Sequence, residues 1–512
     1  MFIGGEFALL SMVSDGYKLE KAKKIHKFRG TEDLLERVME MEEPIVYFDP
    51  DVDGIISGLL VVEWLKKLGK KFKWYINTNR EHGWTLPYNK VSGRDVIAVD
   101  FIIESWRMVE LTDIGCNVVS MDHHENGDNF IEVKSDCGTR GVVINNQYAF
   151  EEEDSRYLSG AGVVFESICN ADPEFNTLTN RALVGITLLS DIRDIENPLA
   201  RGYLHDLYNH KYTGYVKYLI DCTIGDVDYG FGVPRLDRNY IDFKFSPAIN
   251  SCLRFNQEEM VVKFILGSGY IDLGYHKLQK ELVEIIKSNI KTYDFSNLRV
   301  CFFEKDSIDR KYHDVLSNFV GLVASSYLDG VHSCICYMID YREGAGGEKL
   351  PFVRRASFRG NINGLGFLKA LNEVIDGVGH GSAFGIKNLI PSKKLFKRAN
   401  EVCKSVEIDS EYVKDVTKVM NLGMFTNRKG KEYGEYNMYC LSQNRKYIKY
   451  NGKRIQSKRF SPNYKEYEVD GIIVKCFDDG VDFENGLILP INERGNLCMY
   501  LEENSVSVCT EE

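Results

Sequence analysis

Three short apolar runs constrain the fold of this chain more than any other feature. Residues 45–48, 96–99 and 118–121 are rich in β-branched side chains, and an aspartate follows each of them directly. Residues 55–68, after the first run, have the length and apolar content of a buried helix. Short buried strands that alternate with helices are typical of a parallel sheet covered by helices. We therefore predict an α/β fold built on a parallel sheet.

Acidic and histidine side chains follow all three predicted strands, and one more acid ends a later apolar helical segment. The full set is Asp49, Asp51, Asp53, Asp100, Asp122, His123, His124 and Asp191. In open α/β sheets, ligands bind beyond the carboxyl ends of the strands, so these side chains are expected to meet. Carboxylates this close repel each other unless a cation lies between them. Oxygen and imidazole ligands together suit Mn²⁺ or Mg²⁺, and the set is large enough for two ions.

Two simpler interpretations of the acidic segment are a calcium loop and a solvated turn. A calcium-binding EF-hand requires a glutamate at the twelfth loop position, which counted from Asp49 is Leu60 in an apolar segment, so it is excluded. A solvated acidic turn remains open for the segment alone. It does not account for the histidine pair or for the acids that follow the other strands.

The rest of the chain divides into further predicted regions. A second α/β unit is expected at 296–395, with a glycine-rich turn at 377–385, and helix followed by a β-rich, possibly OB-like module is expected at 396–512. Residues 1–200 form the first predicted domain and 201–295 a helical linker. A chain of 512 residues has room for these domains without disulfides.

Charge is distributed unevenly in a chain whose net charge is −11. Residues 426–460 hold ten Lys/Arg against two Glu and also carry five tyrosines, a combination that suits single-stranded nucleic acid. An ordinary tyrosine-rich sheet with a solvated basic face is the equal alternative. The chain has no apolar stretch of about 18 residues, so no membrane partner is expected. Its 13 scattered cysteines include no CxxC pair, which favours a cytoplasmic location.

The motifs resemble those of the DHH phosphoesterase superfamily, and in particular of RecJ-like single-strand exonucleases. The segments that carry the resemblance are residues 49–54 (DPDVDG), Asn79-Arg80 with residues 83–86 (GWTL), Asp100, residues 122–124 (DHH), residues 158–165 (LSGAGVVF), Asp191, residues 245–250 with Arg254, residues 357–360 (SFRG) and residues 378–385 (VGHGSAFG). Two segments depart from the family pattern: Phe101-Ile102 replaces its Asn-Gly, and Val378 replaces a glycine. Neither change removes an expected ligand.

The resemblance implies a role for each residue. The implied metal ligands are Asp49, Asp51, Asp100, His123 and Asp191. His124 would contact the scissile phosphate, Asp122 would orient the histidine pair, and Asp53 would be a ligand or set the turn before Gly54. The implied substrate-binding residues are Arg80, Arg254, Ser357, Arg359, Gly379 and His380.

These roles imply a Mn²⁺-dependent 5′→3′ exonuclease that uses two ions, with Mg²⁺ as the second choice. Its expected substrate is single-stranded DNA with a 5′-phosphate, and a helicase or a single-strand-binding protein is the expected kind of protein partner. The alternative is a phosphodiesterase of the same superfamily that acts on short oligoribonucleotides or cyclic dinucleotides. Those enzymes often carry a histidine where this chain has Ile45.

Overall fold

A computed structural model describes the chain in segments. They are residues 24–77, 83–124, 131–147, 153–191, 198–209, 218–219, 241–328, 332–344, 346–360, 367, 370–371, 375–380, 383–405, 413–415, 447–455, 457–460, 465–469, 472–476, 483–493 and 496–502. They fall into two compact units, residues 1–277 and 278–512. The division into four domains at the predicted boundaries remains a prediction.

The first unit contains a six-stranded sheet and most of the helices. Its strands are β1 Ile45–Phe48, β2 Lys73–Ile76, β3 Val96–Val99, β4 Val118–Asp122, β5 Glu132–Lys134 and β6 Arg140–Asn145. Its helices are α1 Leu34–Glu40, α2 Val52–Lys67, α3 Tyr88–Val91, α4 Ser105–Asp113, α5 Gly160–Ala171, α6 Leu178–Ser190, α7 Pro198–Asn209, α8 Ser246–Arg254 and α9 Glu258–Ile265. Helix α10, Gly274–Ser288, contains the boundary between the units.

The strand order of this sheet is β2-β1-β3-β4-β6-β5, and every neighbouring pair is parallel except β5–β6. Side chains alternate between the two faces along each strand, and every residue of β1 and β3 is buried, so both faces of these central strands are covered. In β1, Val46 and Phe48 pack with helix α2, whereas Ile45 and Tyr47 pack with Met108 of α4. The structure confirms the predicted parallel, helix-covered sheet.

The second unit contains two more sheets. The first has strands β7 Lys291–Asp294, β8 Leu298–Glu304, β9 Ser333–Glu343, β10 Lys349–Arg359, β11 Asp376–His380 and β12 Ala383–Lys387, with helices α11 Val320–Ser325 and α12 Lys393–Ser405. Its order is β11-β12-β10-β9-β8-β7, and only β8–β9 is parallel. This mixed sheet with helices matches the predicted second α/β unit.

The last sheet bears out the β-rich C-terminal module. Its strands are β13 Val413–Asp415, β14 Tyr447–Ile455, β15 Ser457–Phe460, β16 Lys465–Val469, β17 Ile472–Cys476, β18 Phe483–Glu493 and β19 Asn496–Glu502. Their order is β13-β14-β18-β19-β17-β16-β15. An OB-like arrangement of this module, and contact of its tyrosines with nucleic acid, remain predictions.

The glycine-rich segment at 377–385 is not the simple turn that its composition predicts. Most of it is strand: Val378 pairs with Gly385 and Gly379 with Phe384 in the antiparallel pair β11–β12. Phe384 is 3% exposed and packs in the core of the sheet, which offsets the low strand preference of the glycines. No helix in the described segments is both long and apolar enough to cross a membrane.

Candidate metal centre

The predicted strand-end cluster forms at one edge of the first sheet. Strands β1, β3 and β4 are adjacent and parallel, with Phe48 in register with Val99 and Val99 with Met121. Asp49 and Asp100 directly follow Phe48 and Val99, and Asp122 directly follows Met121. Parallel pairing in this register therefore brings three acidic segments to the same level.

Asp100 combines a strained backbone with a carboxylate that is poorly satisfied. It is 2% exposed, and its φ of 65° lies in the left-handed region that non-glycine residues seldom adopt. Its amide donates to the carbonyl of Met121 at 2.9 Å, which holds the turn in place. Its Oδ1 is buried and accepts no hydrogen bond from the described residues. Strain and an unsatisfied buried acid together mark a functional position.

His123 is the centre of the cluster. Its Nε2 lies 3.2 Å from Asp100 Oδ1 and 3.9 Å from Asp53 Oδ2, and its Nδ1 lies 3.8 Å from Asp191 Oδ2. Within the described part of the chain, two sets of side chains have atoms close enough to share an ion: Asp100, His123 and His124, and Asp53, His123 and Asp191. The structure thus brings together three of the five predicted ligands.

The electrostatics of this cluster are unfavourable without a cation. Burial raises the pKa of Asp100 well above its usual range, and the negative charge of Asp53 raises it further. Burial likewise raises the pKa of Asp53, with Asp191 as the next cause. Buried carboxylates that repel one another when ionised, together with an imidazole, form a set of ligands that fits Mn²⁺ or Mg²⁺.

Asp49 and Asp51 lie beside these two sets rather than in them. Asp51 precedes α2, where its side chain accepts a 3.0 Å hydrogen bond from the amide of Gly54 as the N-cap. Asp49 is 1% exposed, and its Oδ1 accepts from Asn77 Nδ2 at 3.4 Å. The sequence analysis missed Asn77, although it directly follows β2 as Asp49 follows β1.

The second histidine of the pair is held by its neighbour two residues earlier. His124 Nδ1 lies 2.7 Å from Asp122 Oδ1, and both side chains are buried. An ionised carboxylate only accepts hydrogen bonds, so Nδ1 carries the proton in this contact. The side-chain Nδ2 of Asn145 also donates to the backbone carbonyl of His124 at 3.1 Å. The ring of His124 is therefore fixed, with Nε2 on the side away from Asp122.

Asp53 makes a different set of contacts. It is the second residue of α2, and both of its carboxylate oxygens accept hydrogen bonds from backbone amides at the start of α5. The partners are Gly160, at 2.7 Å, and Ala161, at 2.9 Å. No local pattern in the sequence indicates that the DPDVDG and GAG segments contact each other.

The predicted phosphate-binding residues Ser357 and Arg359 lie on β10 of the second unit. Arg359 Nη1 donates to Ser357 Oγ at 2.7 Å and to the carbonyl of Phe358 at 2.6 Å. No carboxylate of a described residue lies within 4 Å of its guanidinium. Burial, and secondly the positive charge of Arg355, lower the pKa of Arg359 to about 10. A bound anion would relieve this unpaired positive charge.

Gly321 in α11 is a neighbour of this arginine that the sequence analysis did not identify. A methyl group built on Gly321 would lie 2.6 Å from Arg359 Nη2 and 3.3 Å from Ser357 Oγ. Glycine at this position is therefore what allows the helix to approach the guanidinium so closely.

The other predicted substrate-binding residues are described less fully. Arg80 lies outside the described residues. Gly379 and His380 pair with Phe384 and Ala383 in the β11–β12 hairpin, and their side chains are not described. Arg254 is the last residue of α8. Their substrate contacts remain predictions.

Comparison with known proteins finds relatives in the family that the motifs indicate. Residues 45–189 match the model of the DHH family, N-terminal domain. The single-stranded-DNA-specific exonuclease RecJ of Bacillus subtilis (strain 168) is 22% identical over 409 residues, which are 74% of this chain and 48% of that protein. The chain thus spans about half the length of this curated relative.

Solved structures are similar in fold. RecJ from Thermus thermophilus in complex with Mn²⁺ has a TM-score of 0.59 at 15% identity, covering 98% of this chain and 75% of that one. An exonuclease RecJ bound to manganese has a TM-score of 0.51 at 15% identity, covering 76% of this chain and 98% of that one. Residues 45–189 are accordingly a DHH-family N-terminal domain, and the chain as a whole is similar to RecJ proteins.

Proposed function

We propose that this protein is a metal-dependent 5′→3′ exonuclease that hydrolyses single-stranded DNA to mononucleotides. The observation that carries the proposal is His123, which lies among three buried or nearly buried carboxylates where parallel strands end. The similarity to RecJ proteins supports the choice of a single-stranded DNA substrate over a smaller phosphodiester.

The metal would be held by Asp100, His123 and Asp191, with Asp49 and Asp51 completing the set for two ions. Mn²⁺ is the proposed ion and Mg²⁺ the second choice, in keeping with RecJ structures that contain each of them. When bound, such ions supply a nucleophilic hydroxide at neutral pH and stabilise the charge that develops on the phosphate. The protein contributes a rigid pocket, because Asp49, Asp100 and His123 follow hydrogen-bonded strands and Asp191 ends helix α6.

His124 would act on the phosphate directly. Asp122 accepts the Nδ1 proton and so orients the ring, which leaves Nε2 on the side away from Asp122. A proton on Nε2 can be donated to a phosphoryl oxygen as negative charge builds up there. Asp122 is then a positioning residue, because it acts through the orientation and basicity of His124.

Ser357 and Arg359 would bind a 5′-terminal phosphate. A planar guanidinium donates two parallel hydrogen bonds to phosphate oxygens, and Arg359 pairs with no carboxylate among the described residues. A terminal phosphate held there sets the end at which cleavage begins, from which the 5′→3′ direction follows.

The test compares DNA with the smaller substrates of the alternative function. Single-stranded DNA with and without a 5′-phosphate, a short oligoribonucleotide and a cyclic dinucleotide are each incubated with the protein and Mn²⁺. We expect the 5′-phosphorylated DNA to be cut fastest, with mononucleotides as the first products. Faster cleavage of the oligoribonucleotide or the cyclic dinucleotide would contradict the exonuclease proposal and favour the alternative phosphodiesterase.

A further inference from the structure

Both oxygens of the Asp53 carboxylate are hydrogen-bonded to the start of helix α5. Asp53 is 3% exposed, and each of its two oxygens accepts one backbone N–H, from Gly160 at 2.7 Å and from Ala161 at 2.9 Å. These residues are more than 100 positions apart in the sequence. The contact therefore fastens the beginning of α2 to the beginning of α5.

The first amides of a helix have no partner within the helix, so side chains or solvent must satisfy them. In α5, Asp53 accepts from Gly160 and Ala161, and Ser159 Oγ accepts from Gly162 at 3.3 Å. The partial positive charge at the helix start also stabilises a carboxylate there. Burial raises the pKa of Asp53, whereas the hydrogen bonds from the two amides act to lower it.

The start of α5 is also a wall of the metal pocket. A methyl group built on Gly160 would lie 2.2 Å from Asp100 Oδ1 and 2.7 Å from its carboxyl carbon. A side chain would therefore not fit at this position, and the backbone of α5 at Gly160 lies close against the Asp100 carboxylate. A displacement of α5 towards β3 would consequently move that carboxylate. The position of Gly160, which Asp53 fixes, therefore sets the space available to Asp100.

We propose that Asp53 is a positioning residue rather than a metal ligand: it holds the start of α5 against Asp100 and thereby shapes the metal pocket. The competing role is that of a ligand, since Asp53 Oδ2 is 3.9 Å from His123 Nε2. Each carboxylate oxygen keeps a second lone pair, so the number of ions bound, and not these hydrogen bonds alone, separates a ligand role from a positioning role. The inference concerns the metal pocket of the proposed enzyme and does not depend on which phosphodiester is cut.

Amide hydrogen exchange in the wild-type protein tests whether the contact between Asp53 and α5 exists and persists when metal binds. We expect the amides of Gly160 and Ala161 to exchange slowly in the metal-free protein, and equally slowly after Mn²⁺ is added. Exchange at these two amides that becomes at least tenfold faster with Mn²⁺ would mean that the ion draws Asp53 away from the helix, which would overturn the proposal. Fast exchange without metal would also overturn it.

Variants then test what the contact does for the metal. We expect Asp53→Asn, measured by Mn²⁺ titration, to keep the wild-type number of ions per chain but to bind them roughly 10–100-fold more weakly, as for other residues that orient ligands. Its Gly160 and Ala161 amides should exchange at least tenfold faster, and kcat should fall while KM for the strand stays within threefold. Loss of one ion per chain would identify Asp53 as a ligand and contradict the proposal.

Ser159→Ala is the matched control, because it removes a different side-chain acceptor, that of Gly162, from the same helix start. We expect it to leave Mn²⁺ affinity within threefold of wild type. If Ser159→Ala weakened Mn²⁺ binding as much as Asp53→Asn, the effect would be one of helix stability and the positioning role would be wrong. Should Asp53→Asn not fold, the wild-type exchange experiment still tests the contact, since fast exchange at Gly160 and Ala161 with or without Mn²⁺ would overturn the proposal. A protein that passes both tests yet cuts no DNA would disprove the proposed function alone.

Discussion

At the scale of single residues, Arg359 provides the sharpest prediction about substrate choice. Arg359→Ala should slow cleavage of 5′-phosphorylated DNA roughly 30–150-fold in kcat/KM, because a charge-assisted contact is worth about 2–3 kcal/mol. DNA with a 5′-hydroxyl should be cut at nearly the wild-type rate. The control is Arg354→Ala, which removes an exposed arginine at the irregularity of the same strand. Equal slowing of both DNA ends by Arg359→Ala would refute the terminal-phosphate site.

Gly321→Ala tests the same site without removing a charge. The added methyl group would overlap Arg359 Nη2, which is the mobile end of a long side chain, so the guanidinium should move while the fold is retained. We expect the preference for a 5′-phosphate to fall about tenfold, equivalent to about 1.4 kcal/mol, with a melting temperature within a few degrees of wild type. Ser325→Ala, in the same helix, should change neither quantity. An unaltered preference in Gly321→Ala would show that the guanidinium position does not select the DNA end.

The sequence predicts some of these residues and not others, for a physical reason. Asp100 and His123 directly follow apolar runs, and parallel strands place such residues at one edge, so local pattern is enough. Asn77 also follows a strand, but β2 begins with a lysine and is less buried than its neighbours, so its pattern is weaker. Gly321 meets Arg359 only through the folded chain, which no local pattern encodes. The contact of Asp53 with Gly160 is of the same kind, since two separate motifs have to be brought together.

At the scale of elements, helix α5 is also fixed by a buried carboxylate at its middle. Glu166 is completely buried: Oε2 accepts from the amide and from Nδ1 of His26, each at 2.9 Å, and Oε1 accepts from the hydroxyl of Tyr203 in α7. Glu166→Gln replaces one acceptor by an NH₂ group facing donors. We expect it to lower the free energy of unfolding by about 3 kcal/mol, measured by urea denaturation.

The control for this stability prediction is Glu63→Gln in α2. Glu63 pairs with Lys66 at 2.6 Å, and about half of each side chain is exposed. Such surface pairs contribute about 0–1 kcal/mol, so the free energy of unfolding should barely change. A loss below about 1 kcal/mol in Glu166→Gln would mean that the buried contacts with His26 and Tyr203 contribute little to holding α5.

Element prediction succeeds where the hydrophobic pattern is periodic and fails where glycine is abundant. Strands β1, β3 and β4 of the first sheet contain the short apolar runs, and their burial in the structure follows directly from that pattern. The segment at 377–385 is predicted as a turn because glycines disfavour strands, yet it pairs as β11 and β12. Packing of Phe384 on the sheet, a tertiary contact, outweighs the local preference there.

At the scale of the whole molecule, the basic segment 426–460 should determine how DNA binding responds to salt. Each phosphate that the protein neutralises on a single strand contributes about −0.7 to the slope of log K against log salt concentration. Replacing Lys449, Lys453 and Lys458 by Gln should therefore make this slope shallower by up to about 2. A matched triple replacement of Lys66, Lys280 and Lys287, which lie in helices of the earlier part of the chain, should leave it unchanged. An unchanged salt dependence after replacement of Lys449, Lys453 and Lys458 would mean that this segment does not bind the phosphates of the strand.

The central claim is that the side chains around His123 hold a divalent metal, with which the protein hydrolyses single-stranded DNA. The most direct measurement is the release of mononucleotides from 5′-phosphorylated single-stranded DNA, with Mn²⁺ or with EDTA, by the wild-type protein and by Asp100→Asn. We predict stepwise release from the 5′ end with Mn²⁺, none with EDTA, and a rate roughly 100-fold slower or more for a folded Asp100→Asn protein. Release that persists in EDTA, or a rate for Asp100→Asn within tenfold of wild type, would contradict the account.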